Sequence, residues 1–179
     1  AAVARRPAVA PEESITYGAP RPDAPPGPME LFTASGRFFP VVVIACDRTE
    51  TLRNTLSSLL SAGASPADIL VAQDGANSAV AAVVAEFGVV HKAKRPPLVP
   101  LDGAQHIARV YKFGLTRAFQ DVFPDAPAVL VVEDDLVVSK DFFDYFSAVA
   151  PALERDDSLF VASAWNDNGF AAHADPGAL

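Results

Sequence analysis

The chain has 179 residues, half of them apolar, and 14 basic against 22 acidic side chains give it a net charge of −8. An acid excess of that size repels a phosphate backbone and excludes nucleic-acid binding unless a separate basic patch exists. One cysteine excludes an internal disulfide framework and a Cys-rich zinc site.

The length suggests one domain with a core of ordinary size. The longest apolar runs, such as Pro40 to Cys46 and Ala126 to Val132, fall far short of the ~20 residues that cross a membrane. The chain starts without Met and without a charged-then-apolar leader, so it reads as a piece of something longer.

Residues 1–40 hold eight of the sixteen prolines, in runs such as Pro20-Arg21-Pro22 and Pro25-Pro26-Gly27-Pro28. Proline removes a backbone donor and fixes φ, so residues 1–38 are expected to build no ladder and to form an extended stem or linker. A rigid recognition segment is the second reading of the same composition. The fold is expected to begin near Phe38, giving a domain over residues 39–179. Val41 to Ala45 is a continuous β-branched run, the pattern of a strand buried on both faces. Thr49 is placed to cap a helix carrying Leu52, Leu56, Leu59 and Leu60, and Gly63 to stop it.

Ile69 to Ala72 is a second strand, and Val80, Val83, Val84 and Phe87 mark a second helix. Val89-Val90 starts a third strand. A Pro-rich loop over Lys94 to Pro100 leads into a helix with Ile107, Tyr111, Leu115, Ala118 and Phe119. Val129 to Val132 is a fourth strand, Phe142, Phe143, Phe146 and Val149 lie on a core helix, and Leu159 to Ala162 is a fifth strand. Strands and helices alternating in this way predict an α/β fold with a mostly parallel sheet.

In such sheets ligands bind beyond the carboxyl ends of the strands. The first strand runs into Cys46-Asp47-Arg48, the second into Gln73-Asp74-Gly75, the fourth into Glu133-Asp134-Asp135 and the fifth into Trp165-Asn166-Asp167-Asn168-Gly169. Parallel strands would bring all four groups to one crevice. The carboxylate triple is costly unless water or a cation offsets its repulsion, and oxygen ligands suit Mn²⁺ or Mg²⁺. Local excess charge is the competing reading, since twelve of the 22 acids lie in residues 121–179 against two basic residues.

Arg48 suits either a diphosphate or a pairing with Asp47 or Glu50. Asp74 suits either a base or sugar hydroxyl or a plain turn. His91, His106 and His173 lack ligand spacing and read as structural or exposed, Cys46 as a small core residue and Trp165 as a packing anchor.

Four segments together carry a resemblance. Val42 to Arg48, Val131 to Leu136, Asp141 to Phe146 and Ser163 to Gly169 resemble, in the same order, the family of N-acetylglucosaminyltransferase I, which includes the related protein O-mannose enzymes. The likeness runs from about Phe39 to Phe170. It implies a GT-A (Rossmann-like) nucleotide-sugar-binding fold, incomplete at the C-terminus here, in a type II Golgi membrane enzyme with its catalytic face in the lumen.

The implied reaction moves GlcNAc from UDP-GlcNAc, with Mn²⁺ and with inversion, in β1,2 linkage to a mannose of a glycan on a glycoprotein. On the matching positions Arg48 and Asp74 contact the UDP-sugar, Asp134 binds it through the ribose, Glu133 lies near the sugar and Asp135 ligates Mn²⁺. Val110 departs from the pattern, because the family usually has a nucleotide-binding histidine there. The catalytic base and the membrane anchor are expected outside this chain, the base beyond Leu179. Within this resemblance an N-glycan core mannose is the expected acceptor and O-linked mannose the alternative. A lectin-like or metal-binding module without catalysis is the competing class, and a purely structural α/β domain a third.

Overall fold

In the computed structural model of the chain, which describes residues 1–5, 23–95 and 102–165, five strands join into one sheet. They are β1 (Ala2–Arg5), β2 (Val41–Ala45), β3 (Ile69–Asp74), β4 (Val90–Lys94) and β5 (Ala128–Glu133), in the order β1-β5-β2-β3-β4. The last four are mutually parallel and β1 runs antiparallel on β5. Five helices connect or flank them: α1 (Pro28–Ala34), α2 (Thr49–Ser61), α3 (Ser78–Phe87), α4 (Gly103–Arg117) and α5 (Phe142–Arg155). The expected α/β class and mostly parallel sheet are therefore present. Among the described residues no helix is long and apolar enough to cross a membrane.

The unbroken β-branched runs follow from covering both faces of the sheet. Side chains alternate across a strand, so Val41, Val43, Ala45, Ile69, Val71, Leu130 and Val132 face one layer with α1, α2, α3 and α5. Val42, Ile44, Leu70, Ala72, Val129 and Val131 face the other, against α4 and the turn that follows it. The Phe-rich helix is core as expected, with Phe142, Phe143 and Phe146 buried.

Gly63, at φ +110°, ends α2: its N–H donates to Leu60 O at 3.1 Å and the Ala64 N–H to Leu59 O at 3.1 Å, which satisfies carbonyls the helix leaves open. The start of α2 is one residue off the expected cap. Thr49 is the first helical residue, Arg48 holds the cap position, and no side chain caps it.

Three expectations are corrected. Residues 1–38 are not wholly an extended tether, because their two ends fold. Ala2–Arg5 joins the sheet ahead of the first proline, and its Val3 is buried. Pro28 at the first turn of α1 needs no donor, and Met29 and Phe32 are buried against α5. A carboxylate from α5 finishes that contact: the Met29 and Glu30 N–H groups donate to Glu154 at 2.6 and 3.0 Å. Residues 6–22 lie outside the described residues, as do 96–101 of the Pro-rich loop.

The fifth strand does not form over Leu159 to Ala162. The free edge of β5 is taken by β1, so this run meets the sheet only where the Val3 N–H donates to Ala162 O at 3.0 Å and Ser163 bridges Ala2. Phe160 is consequently 89% exposed.

Helix α4 crosses the sheet at Gly114, where an added Cβ would stand 3.0 Å from Ala72 and 3.1 Å from both Ile44 and Val42. Gly114→Leu should therefore lower the unfolding free energy by about 3 kcal/mol, read from urea denaturation. Gly103→Ala, in open space on the same helix, should leave stability unchanged or raise it by up to about 1 kcal/mol. Equal midpoints for the two variants would contradict the close crossing.

Candidate functional site

The strand order places a switch point between β2 and β5: the chain leaves β2 toward β3 on one side and returns through α4 to β5 on the other. Crevices at such points lie outside the carboxyl ends of the strands. Here a cavity of about 310 Å³ opens, and Cys46, Arg48, Asp74, His106, Tyr111, Glu133 and Asp134 supply its polar wall. Ile44, Ala45, Ile107 and Val110 supply its apolar wall. Arg48, Asp74, Glu133 and Asp134 thus meet in one crevice, and Asp135 joins them through Arg48. Residues 166–169 lie outside the described residues.

The pleat divides the carboxylate triple. Glu133 and Asp135 are exposed, while Asp134 turns inward and is 2% exposed. Its backbone N–H continues the ladder to Ile44 O at 3.0 Å. Its side chain accepts from the Cys46 N–H at 3.3 Å and from Arg48 at 2.5 Å. Arg48 also donates to Asp135 at 2.8 Å, so one guanidinium bridges two neighbouring acids rather than pairing with Asp47 or Glu50. Burial pushes the Asp134 carboxyl above its usual value, against the pull of the Cys46 N–H and Arg48.

Asp74 is no isolated turn residue. Its two oxygens face His106 Nδ1 and Arg109 Nη1, each at 3.2 Å. Arg109 also donates to Arg95 O, tying α4 to the end of β4. Tyr111 donates to Glu133 at 2.8 Å, and its phenol is pushed up by burial and by the Glu133 carboxylate that accepts its proton.

Gln73, fully buried beside Asp74, donates to Cys46 O at 3.2 Å and Asn77 O at 3.3 Å. Its oxygen faces His91 Nε2 at 2.9 Å, and burial lowers the His91 pKa. The reading of His91 as structural is borne out.

Residues of α4 were undervalued from the sequence. His106, Arg109 and Val110 stand at i, i+3 and i+4, and that helical spacing, on a segment returning over the sheet edge, was the available signal. Val110, where the resemblance expects histidine, is buried in the crevice wall one turn from His106. Cys46 is also corrected: it lies one residue past β2, where the strand has opened into the crevice, and it is exposed.

Metal binding must be tested against this donor set. Among the described residues no group of three or more His, Cys, Asp or Glu side chains is arranged to hold an ion. Asp135 alone presents an exposed carboxylate on the Arg48 side, with one oxygen on Arg48 and the other without a protein partner among the described residues. A single carboxylate fits a hard divalent ion that draws its remaining ligands from substrate phosphates and water.

A doubly wound α/β sheet with an arginine and four carboxylates at its switch-point crevice defines a Rossmann-like ligand-binding domain. Residues 29–178 match the GNT-I family, and the chain belongs to it. It is 34% identical over 140 residues to an alpha-1,3-mannosyl-glycoprotein 2-beta-N-acetylglucosaminyltransferase of Arabidopsis thaliana. The match covers 72% of this chain and 31% of that relative, so the chain spans about a third of its length.

Cys46 reports on the crevice directly, as the sole thiol of the chain. Burial and the carboxylates of Asp47, Asp74 and Asp134 all disfavour its thiolate and raise its pKa, and only Arg48 opposes them. Alkylation by iodoacetamide should therefore show a pH midpoint above the ordinary thiol value, and Asp47→Asn should bring that midpoint down. A midpoint at or below the ordinary value would contradict the site's electrostatics.

Proposed function

We propose that this chain is the donor-binding part of a GT-A glycosyltransferase, taking UDP-GlcNAc for β1,2 transfer to a mannose of an N-glycan core. One observation carries the reading: Arg48, Asp74, Glu133 and Asp134, from three separate strand ends, line one cavity at the switch point of the sheet. The name of the Arabidopsis relative supports the transferase class and the mannosyl acceptor. On this reading the protein works in the secretory pathway, at the Golgi membrane.

Arg48 can turn toward an anion because its side chain is 51% exposed and a guanidinium carries more donors than its two acids occupy. It would grip the diphosphate. Asp74, held by His106 and Arg109, would accept from the base or ribose. Asp134 is braced for a ribose hydroxyl, and Glu133, oriented by Tyr111, for a hydroxyl of the sugar. Asp135 would hold Mn²⁺, which supplies neutralisation of charge on the departing diphosphate. Direct displacement also needs a base for the acceptor hydroxyl on the opposite side of the sugar, and none of these groups is assigned that role.

Val110 is the one observation favouring a binding module without turnover, since the crevice wall lacks the family's histidine there.

Calorimetric titration of the chain with UDP-GlcNAc tests the reading. Binding should strengthen with Mn²⁺, and Asp135→Asn should erase the metal-dependent part while leaving the fold intact. Arg48→Ala should weaken binding about 10- to 100-fold, the loss expected for a charge-assisted hydrogen bond. No binding with Mn²⁺ present would refute the proposal.

A further inference from the structure

A second crevice, of about 300 Å³, lies on the other side of Glu133 from the first. Tyr111 and Glu133 line both, so the hydrogen-bonded pair they form is the partition between them. The rest of its wall is Val131, Leu136, Ser163 and Trp165, backed by the first residues of the chain at β1. We infer that this second crevice seats the neutral hexose that accepts the transferred sugar, with the Trp165 indole as the face on which the ring lies. The inference rests on the nucleotide-sugar reading of the first crevice.

Three features support a hexose. A pyranose offers an apolar C–H face and a rim of hydroxyls, and this crevice matches both: an indole 69% exposed beside Val131 and Leu136, then the Glu133 carboxylate and the Tyr111 and Ser163 hydroxyls. Its charge is right for a neutral ligand only. No lysine or arginine lines it, and the carboxylate there would repel a phosphate or an acid, whereas the first crevice has Arg48.

The indole is also held in place. Trp165 N–H donates to Ser163 Oγ at 3.1 Å, and Tyr145 of α5 donates to Ser163 O at 2.9 Å. A turn already ordered loses little freedom when a ligand arrives. Two substrates on either side of a shared wall, one the width of a side-chain pair, are also the arrangement a transfer between them requires.

Trp165 is the sole tryptophan of the chain, so its fluorescence reads this crevice alone. The chain, loaded with UDP and Mn²⁺, is titrated with methyl α-mannoside and followed by tryptophan emission and by saturation-transfer NMR of the sugar. Millimolar saturable binding that changes the emission is expected, as for a small neutral ligand. Trp165→Ala should weaken the mannoside about tenfold, with UDP affinity unchanged as the sign of an intact fold, and Trp165→Phe should recover part of the loss. A chain that binds UDP-GlcNAc but shows neither emission change nor saturation transfer with the mannoside overturns the inference. So does mannoside binding undiminished in Trp165→Ala. A chain that binds no UDP-GlcNAc overturns the donor reading and this inference together.

Discussion

The site is organised by one buried charge. Asp134 sits at the end of a strand covered on both faces, where an ionised carboxyl loses nearly all of its water. Two donors offset that loss, the Cys46 N–H from the end of β2 and the Arg48 guanidinium from the turn after it. Both come from the strand beside β5, so the compensation is itself what joins the two strand ends across the switch point. Arg48 also binds Asp135, which relieves repulsion within the acidic triple without hiding the arginine from solvent. An acid-rich edge thereby keeps one cation facing outward, and that is what makes it hospitable to an anionic ligand.

Helix α4 is the second organiser. Its His106 and Arg109 hold Asp74 at the end of β3, and its Tyr111 holds Glu133 at the end of β5. A single rigid element thus orients carboxylates from two strands that are not neighbours in the sheet. It can do so because Gly114 has no side chain, which lets the helix axis approach Val42, Ile44 and Ala72 closely. Packing on the far layer of the core and geometry in the crevice are therefore coupled through one residue position.

The elements most legible in sequence were those defined by local hydrophobicity. The runs at Val41, Ile69 and Val129, the leucines of α2 and the phenylalanines of α5 are buried as their patterns imply, because burial on both faces or on one stripe leaves a signature in neighbouring residues. The misreadings concern partners distant along the chain. Leu159 to Ala162 has the composition of a strand, but a strand needs a free edge, and β1 from more than a hundred residues away holds it. Proline content described residues 1–38 as a tether, yet α1 is stabilised by Glu154 across the fold. His106 and Cys46 looked ordinary because nothing beside them in sequence shows that they border a cavity.

Sequence alone determined the α/β class, the family resemblance, and the positions of Arg48, Asp74 and the Glu133-Asp134-Asp135 triple at strand ends, because strand periodicity and the end of an apolar run are local facts. Only the tertiary structure decided which carboxylate is buried, which arginine answers it, and which helix braces the rest. Those outcomes depend on strand order and on the depth at which each side chain loses water, and both arise from contacts between segments dozens of residues apart.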